Sequence, residues 1–231
     1  MAMVNIFIGY DPAESVAYHT LVQSIIDTSS VPVSITPLSL SHLGFWDRPR
    51  DSRQSNEFSF TRFLVPHLCN FEGTAIYMDC DMLIRSDIVE LTELDDSKAV
   101  HVVKHDYIPK DEYKYLGQRQ YSYPRKNWSS FVVWNNKKNW KLTPDLIKKE
   151  TGAYLHRFSW LDDSQIGELD PKWNWLVGEY PDPPQDVKNV HWTNGGPYFR
   201  DYATVTFSDE WNITNKKVNY CKDPTCKTNQ T

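Results

Sequence analysis

The chain has 231 residues, which suits one elaborated domain better than two full independent ones. Hydrophobic residues make up 40% of it and charged residues 24%, so the chain can build a sizeable core and is not a disordered protein. The net charge of −5 and the absence of any basic run longer than a pair make nucleic acid an unfavoured partner.

The first elements predicted along the chain are a strand, a helix and a second strand. Val4 to Gly9 is β-branched and aromatic, which predicts a buried strand. Asp11, Pro12 and Glu14 then predict a helix start with an N-cap, a proline in the first turn and a capping box. A second strand is expected over Val33 to Leu38, which indicates an α/β sheet.

The end of the first strand is a candidate ligand site. Ligands of α/β sheets bind beyond the carboxyl ends of the strands, so Gly9, Tyr10 and Asp11 are expected at a ligand-binding edge.

A long polar loop is expected over residues 40–56, and loops of that length are often functional. A helix is predicted over residues 57–69, although Pro66 must kink or end it. On the wheel of this helix Arg62 lies roughly opposite Leu64, which predicts that Arg62 is off the core face.

The sharpest chemical signal is the pair Asp79 and Asp81, which follows an apolar strand predicted over Thr74 to Met78. Two carboxylates at the end of a buried strand need a counter-charge, because an isolated buried carboxylate is very costly. A divalent cation such as Mg²⁺ or Mn²⁺ would supply it. The alternative is that the pair only caps a helix or forms salt bridges.

The later predicted elements are strands over residues 99–103, 131–134 and 187–191, and a helix over residues 144–155. The last strand delivers His191, which suits a metal site with Asp79 and Asp81, although a lone histidine is more often structural. Gly195 and Gly196 follow and would let the backbone approach a phosphate.

In two classes of protein, an apolar strand is followed directly by an Asp-x-Asp motif. Phosphatases of the haloacid dehalogenase type use the first Asp as a nucleophile with a later acidic pair for Mg²⁺, and Asp162 with Asp163 could imitate that pair. GT-A glycosyltransferases place the motif after an N-terminal nucleotide-binding half. The complete strand-helix-strand unit before Asp79 favours the second class.

Several segments resemble glycosyltransferase family 8, the glycogenin and lipopolysaccharide galactosyltransferase group. The resemblance covers residues 4 to 200 and rests on Ser59 to Pro66, Ala75 to Leu83, Asn127 to Asn135, Asp162 to Ile166, Pro171 to Asn174 and His191 to Pro197. It implies a GT-A fold, a Rossmann-like mixed sheet flanked by helices, in one catalytic domain over residues 1–211. It also implies a hexosyltransferase that retains anomeric configuration and moves a sugar from a nucleoside diphosphate, with UDP as the expected nucleotide, to a hydroxyl acceptor.

The resemblance assigns roles to single residues. Asp79, Asp81 and His191 would hold Mn²⁺ or Mg²⁺, and Arg62 would neutralise the departing diphosphate. Asp163, or Asp162 if the register shifts by one residue, would face the donor sugar or stabilise charge at its anomeric carbon. The alternative for both residues is that they only begin a helix, where acidic side chains interact favourably with the helix dipole.

The nucleotide contacts implied by the resemblance lie at several places along the chain. They are Gly9, Tyr10, Asp11, Cys80 between the two aspartates, the sugar-facing Ser129, Gly195 and Gly196. The family has a lysine after the late glycine, whereas this chain has none there, so Arg200 or a loop arginine would substitute. The tryptophans are expected mainly in the core, with one or two stacking on sugar. A non-catalytic carbohydrate-binding protein is a further alternative.

Four cysteines are too few and too unevenly spaced for a disulfide scaffold, which fits a reducing compartment. Cys221 and Cys226 lie in a polar segment predicted as a tail over residues 212–231, where they could be half of a zinc knuckle or a local disulfide. No stretch approaches roughly 18 consecutive apolar residues, and no signal-peptide pattern opens the chain. We therefore expect a cytoplasmic protein without a membrane span.

Overall fold

The computed structural model describes residues 3–50 and 54–220. Cys221, Cys226 and the end of the predicted tail lie outside the described residues. The strands are β1 Val4–Gly9, β2 Val33–Leu38, β3 Thr74–Met78, β4 Met82–Ile84, β5 Val100–Val102, β6 Tyr113–Lys114, β7 Gln118–Arg119, β8 Phe131–Asn135, β9 Ile166–Glu168, β10 Trp175–Leu176 and β11 Asn189–His191. The α-helices are α1 Ser15–Thr28, α2 Val65–Leu68, α3 Pro144–Lys149, α4 Gly152–His156 and α5 Ser208–Val218.

A six-stranded mixed sheet in the order β2-β1-β3-β8-β5-β9 forms the centre of the molecule. The strand β1 runs parallel to both β2 and β3, whereas β8 is antiparallel to β3 and β5. A smaller sheet has the order β10-β11-β4, and β6 pairs with β7 in a hairpin. The predicted mixed α/β sheet flanked by helices is therefore confirmed. Because β4 follows β3 after three residues, the short turn between them connects the two sheets.

The predicted strands match the structure closely, but two predicted helices do not. The segment 57–69 forms a 3-10 turn over Thr61–Leu64 followed by the single-turn helix α2. The segment 144–155 is divided into α3 and α4, because Glu150 takes extended backbone and the Thr151 hydroxyl accepts the Tyr154 N–H at 3.1 Å. Arg48 caps the C-terminal end of α3, where its side chain donates hydrogen bonds to the carbonyl oxygens of Ile147 and Glu150, both at 2.7 Å.

The helix start after β1 differs in one respect from the prediction. Asp11 is an N-cap, and its carboxylate accepts the Ala13 N–H at 2.9 Å. Glu14 does not close a capping box. It is buried instead and accepts a hydrogen bond from the Tyr198 hydroxyl at 2.6 Å. A contact distant in sequence has therefore replaced the local one.

The helix α5 packs against α1, where the Asn215 side chain donates to the Thr20 hydroxyl at 2.8 Å and Lys217 pairs with Asp27. Trp211 of α5 is buried in a satellite apolar cluster with Val190 and its neighbours. The first part of the predicted tail, residues 212–218, thus continues a helix that packs on the main domain. Among the described residues, no helix combines the length and apolar character that a bilayer crossing requires.

Candidate active site

Asp79 and Asp81 lie in the short turn that joins the two sheets. The Asp79 N–H donates to the Ser130 carbonyl at 2.9 Å, and the Asp81 carbonyl accepts the Trp192 N–H at 3.0 Å. The turn is thus fixed to the start of β8 on one side and to the end of β11 on the other. Both aspartates are only 8% exposed. Buried carboxylates of this kind need compensation by hydrogen bonds or by opposite charge.

Asp79 obtains that compensation from the protein. The Arg62 guanidinium lies 3.0 Å from one carboxylate oxygen and the Tyr77 hydroxyl donates to it at 2.7 Å. Burial raises the pKa of the Asp79 carboxyl and the charge of Arg62 opposes this shift. Arg62 also donates to the carbonyl oxygens of Ser129 at 3.0 Å and Phe58 at 3.3 Å. Asp79 is thereby held as one partner of a buried ion pair.

The prediction that Arg62 lies off the core face is wrong, since its side chain is buried. A helical wheel assumes one solvent-facing side, whereas all four residues of the 3-10 turn Thr61–Leu64 are buried. Arg62 is therefore enclosed by the protein and pairs with the Asp79 carboxylate.

Asp81 has no such partner among the described side chains. Its Oδ1 atom is buried without a hydrogen bond and lies 3.4 Å from His191 Nε2. The other ring nitrogen, His191 Nδ1, lies 2.8 Å from the carbonyl oxygen of the Asn174 side chain. That oxygen can only accept, so Nδ1 carries a proton, and in the neutral imidazole Nε2 presents a lone pair. With the imidazole neutral, two acceptors face each other.

A cation between these acceptors satisfies both. Ligand atoms of Asp79, Asp81 and His191 lie within 4.8 Å of one another, and all three residues are buried. Two carboxylates and one imidazole suit Mn²⁺ or Mg²⁺ with open positions left for a substrate. Asn174 orients the histidine as second-layer partners of metal ligands do, and its amide donates in turn to the Ser130 hydroxyl at 2.9 Å. The residues present therefore fit a divalent metal.

The cluster opens into a cavity of about 670 Å³. Five residues singled out from the sequence line this cavity: Arg62, Asp79, Asp81, Ser129 and His191. The Ser129 hydroxyl lies 2.7 Å from His156 Nδ1, and burial lowers the pKa of His156 to about 3, so this histidine is neutral. Among the described residues, the phenylalanine and tyrosine side chains that line the cavity are Phe60, Tyr115, Tyr121 and Tyr123, and no tryptophan lines it.

The predicted nucleotide contacts after β1 do not line the cavity. A Cβ on Gly9 would lie 2.4 Å from the Phe58 ring, so packing explains the glycine. The two carboxylate oxygens of Asp11 accept the N–H groups of Ala13 at 2.9 Å and Glu57 at 3.0 Å. The Tyr10 ring packs edge-on against Tyr18. In this structure, these three residues shape the edge of the sheet.

Cys80 and the glycine pair also lie away from the cavity lining. The Cys80 side chain is buried in the main core. A Cβ on Gly195 would lie 2.6 Å from the Tyr202 ring, and one on Gly196 would lie 2.3 Å from the Tyr198 ring. Close packing against aromatic rings thus explains both glycines.

Asp162 and Asp163 are not brought to the cavity either. Asp162 is the N-cap of a 3-10 turn over Asp163–Gln165, and its N–H donates to the Gln165 side chain at 3.0 Å. The Asp163 side chain is 84% exposed and pairs with Arg125. The positions of both residues correspond to the helix-start alternative.

We therefore expect Asp162→Asn and Asp163→Asn to leave the catalytic rate within about twofold and to cost about 0.3–1 kcal/mol of stability, as first-turn acids do. Rate and donor affinity should be measured for both variants. A fall of tenfold or more in rate for Asp163→Asn, with donor affinity unchanged, would instead place that carboxylate at the sugar.

Glu14 is a buried carboxyl that the sequence analysis assigned to a helix cap. Burial, followed by the charge of Asp81, raises the pKa of Glu14 to about 7. The stabilisation that protonated Glu14 contributes is therefore fully present below the ordinary glutamate pKa of 4.5 and is lost as the pH rises through about 7.

Glu14→Gln should remove this loss, because a neutral amide can still accept the Tyr198 hydrogen bond. The free energy of unfolding of the variant relative to the wild type should rise between pH 5 and pH 8 by up to about 3 kcal/mol. Urea unfolding at both pH values in chelator measures it, with the exposed Glu168→Gln as the control. Parallel pH profiles for wild type and Glu14→Gln would contradict the prediction.

The comparisons with known proteins agree with this architecture, although no family model matches the chain. The chain is 46% identical over 217 residues to Protein CDI of Arabidopsis thaliana, a match that covers 90% of this chain and 84% of that protein. Its fold is similar to that of the galactosyltransferase LgtC, solved with donor and acceptor sugar analogues, with a TM-score of 0.61 and 11% identity over 95% of this chain and 98% of that one.

Two further similar structures belong to longer chains. They are the bifunctional glycosyltransferase WbbM, with a TM-score of 0.65 and 15% identity, and the glycosyltransferase GlyE of Streptococcus pneumoniae TIGR4, with a TM-score of 0.62 and 17% identity. The matches cover 94% and 93% of this chain but only 51% and 60% of those chains. The predicted GT-A fold is thus confirmed, and the chain belongs to the family of Protein CDI.

Proposed function

We propose that this protein is a metal-dependent glycosyltransferase that moves a sugar from a nucleoside diphosphate, UDP in the simplest case, to a hydroxyl acceptor. The observation that carries the proposal is the buried cluster of Asp79, Asp81 and His191, which opens into a large cavity of a GT-A fold. The resemblance to glycosyltransferase family 8 adds that the transferred hexose retains its anomeric configuration.

Asp79, Asp81 and His191 would hold the divalent ion, Mn²⁺ or Mg²⁺. When bound, that ion supplies positive charge to the diphosphate that departs from the sugar. Arg62 holds the Asp79 carboxylate in place and keeps a fixed positive charge beside the leaving group. Asn174 keeps the proton on His191 Nδ1, so that Nε2 stays a ligand.

The cavity walls have the chemistry that a sugar requires. Tyr121 and Tyr123 offer flat aromatic faces, and the Ser129 hydroxyl is oriented by His156. A catalyst of this kind works by positioning and by stabilising the charge that develops at the anomeric carbon and on the diphosphate.

The phosphatase alternative is not favoured by the geometry. The Asp79 oxygens are engaged by Tyr77 and Arg62, which leaves this carboxylate poorly suited to attack a phosphate. The later pair that such a phosphatase needs, Asp162 and Asp163, does not line the cavity.

A thermal-shift comparison of UDP, GDP and inorganic phosphate, each with Mn²⁺ and with chelator, tests the proposal. A ligand at 100 times its Kd adds about 2.7 kcal/mol, which corresponds to a rise of about 5–10 °C in Tm for a chain of this size. We expect that rise for UDP only when the metal is present, together with UDP release from a UDP-sugar in the presence of acceptor. An equal rise in chelator would contradict the metal assignment.

A further inference from the structure

Basic side chains outnumber acidic ones along the cavity, although the whole chain carries a net charge of −5. Several of these cations already have partners. Arg62 pairs with Asp79, Arg48 donates to the carbonyls at the end of α3, and Arg119 pairs with Glu112 at 3.0 Å. The segment between β5 and β8 supplies two further cations, Lys114 and Lys126.

Neither lysine forms an ion pair within the part of the chain that the structure describes. The Lys114 ammonium lies 5.1 Å from the centre of the Tyr115 ring, and the Lys126 ammonium lies 5.2 Å from that of Tyr123. Both lysines thus rest on aromatic faces inside the cavity, an environment that holds an ammonium without neutralising it.

The structure ties both lysines to the segment that follows the metal ligand His191. The Tyr115 N–H, next to Lys114, donates to the Asn194 carbonyl at 2.8 Å. The Asn127 amide, next to Lys126, donates to the Thr193 hydroxyl at 3.2 Å. A residue next to each lysine is therefore hydrogen-bonded to a residue within three positions of His191 in the sequence, and both lysines line the same cavity as His191.

Electrostatics supports this placement. Burial lowers the pKa of Lys114, and the charges of Asp81, Glu14 and Asp79 oppose the shift, so its ammonium lies within the field of the metal cluster. Burial lowers the pKa of Lys126 to about 8, and the charge of Lys114 adds to that shift. Two ammonium groups that repel each other beside a metal site favour a ligand with more than one negative charge.

We propose that Lys114 and Lys126 bind the diphosphate of the nucleotide and neutralise it as it leaves the sugar. This inference rests on the proposed function and adds residues to it. They take the role expected for Arg200 or a loop arginine. Arg200 is exposed and does not line the cavity. A nucleotide sugar carries its negative charges on two adjacent phosphates, which matches two ammonium groups next to a divalent ion.

Titration calorimetry with UDP, and separately with uridine, in the presence of Mn²⁺ tests the lysine pair. Lys114→Met and Lys126→Met should each weaken UDP binding by at least about tenfold and leave uridine binding unchanged, because uridine lacks phosphate. Lys126→Arg should recover most of the loss, and Arg200→Met should bind UDP like the wild type. Circular dichroism and Tm would show that each variant is folded. UDP affinity within twofold of wild type for both Met variants would overturn the proposal.

Inorganic pyrophosphate with Mn²⁺ separates this inference from the proposed function. If the wild type binds no nucleotide but binds pyrophosphate, and both Met variants lose that binding, the lysine pair stands while the transferase proposal fails. If the Met variants bind pyrophosphate as the wild type does, the lysine pair is wrong even if UDP-sugar turnover is found. A tenfold loss that appears equally in Arg200→Met would also overturn it, since a general reduction in charge would then explain the effect.

Discussion

Asp81→Asn is expected to reduce sugar transfer by at least about a thousandfold, because a metal ligand that supplies several kcal/mol of charge stabilisation is lost. The fold should survive. In the absence of metal the Asp81 Oδ1 atom is a buried acceptor without a hydrogen bond, 3.4 Å from His191 Nε2. With the imidazole neutral, an asparagine amide at that position can donate to Nε2, so in chelator at alkaline pH the variant should be at least as stable as the wild type.

The measurement is a pair of melting curves, with Mn²⁺ and with chelator, together with the transfer rate. Wild type should gain stability from Mn²⁺ and Asp81→Asn should not. Asp79→Asn serves as the matched control at the other carboxylate: it should also lose activity but should be less stable in chelator, because Arg62 loses its charged partner. Near-normal turnover of Asp81→Asn would show that the metal assignment is wrong.

Arg62→Met should lower the free energy of unfolding in chelator by about 3–5 kcal/mol, the usual cost of removing one partner from a buried ion pair. The variant leaves Asp79, which is only 8% exposed, with the Tyr77 hydrogen bond and no counter-charge. The Ser129 and Phe58 carbonyls lose a donor as well. Urea unfolding measures the effect, and Mn²⁺ should restore part of it, because the ion replaces the missing positive charge.

Two controls make this prediction specific. The double variant Arg62→Met with Asp79→Asn should be more stable than Arg62→Met alone, since no buried charge is left unpaired. Arg119→Met removes a surface pair whose side chains are more than half exposed, and should cost no more than about 1 kcal/mol. If Arg62→Met and Arg119→Met cost the same, the Arg62 pair contributes little to folding.

The local signals in the sequence predicted the fold well. Strands such as Val4–Gly9 and Thr74–Met78 are short apolar runs, and such runs are buried wherever the sheet places them. The structure also brings Asp79 and His191 together, because His191 of β11 pairs with Met82 of β4, which directly follows the turn that holds both aspartates. Where spacing along a regular strand determined the position, the prediction agrees with the structure.

Predictions that relied on a regular helix or on a residue's own neighbours were less successful. Glu14 had the spacing of a capping box, but burial beside Tyr198 gave its carboxyl a partner 184 residues away. The helical wheel that placed Arg62 outward assumed one solvent-facing side, but the turn Thr61–Leu64 is buried on all sides by segments distant in sequence. A local sequence pattern is compatible with more than one conformation, and contacts between distant segments determine which conformation forms.

By itself, the sequence determined that this protein builds a mixed α/β sheet and that two carboxylates follow one of its buried strands. Hydrophobic periodicity, turn residues and the cost of burying a charge are all determined within a few residues of chain. Only the tertiary structure decided which side chains share the cavity. Lys114 and Lys126 come from a segment without periodicity, and their neighbours Tyr115 and Asn127 donate to Asn194 and Thr193, which follow His191. Such contacts depend on packing between distant segments, and no spacing along the chain encodes them.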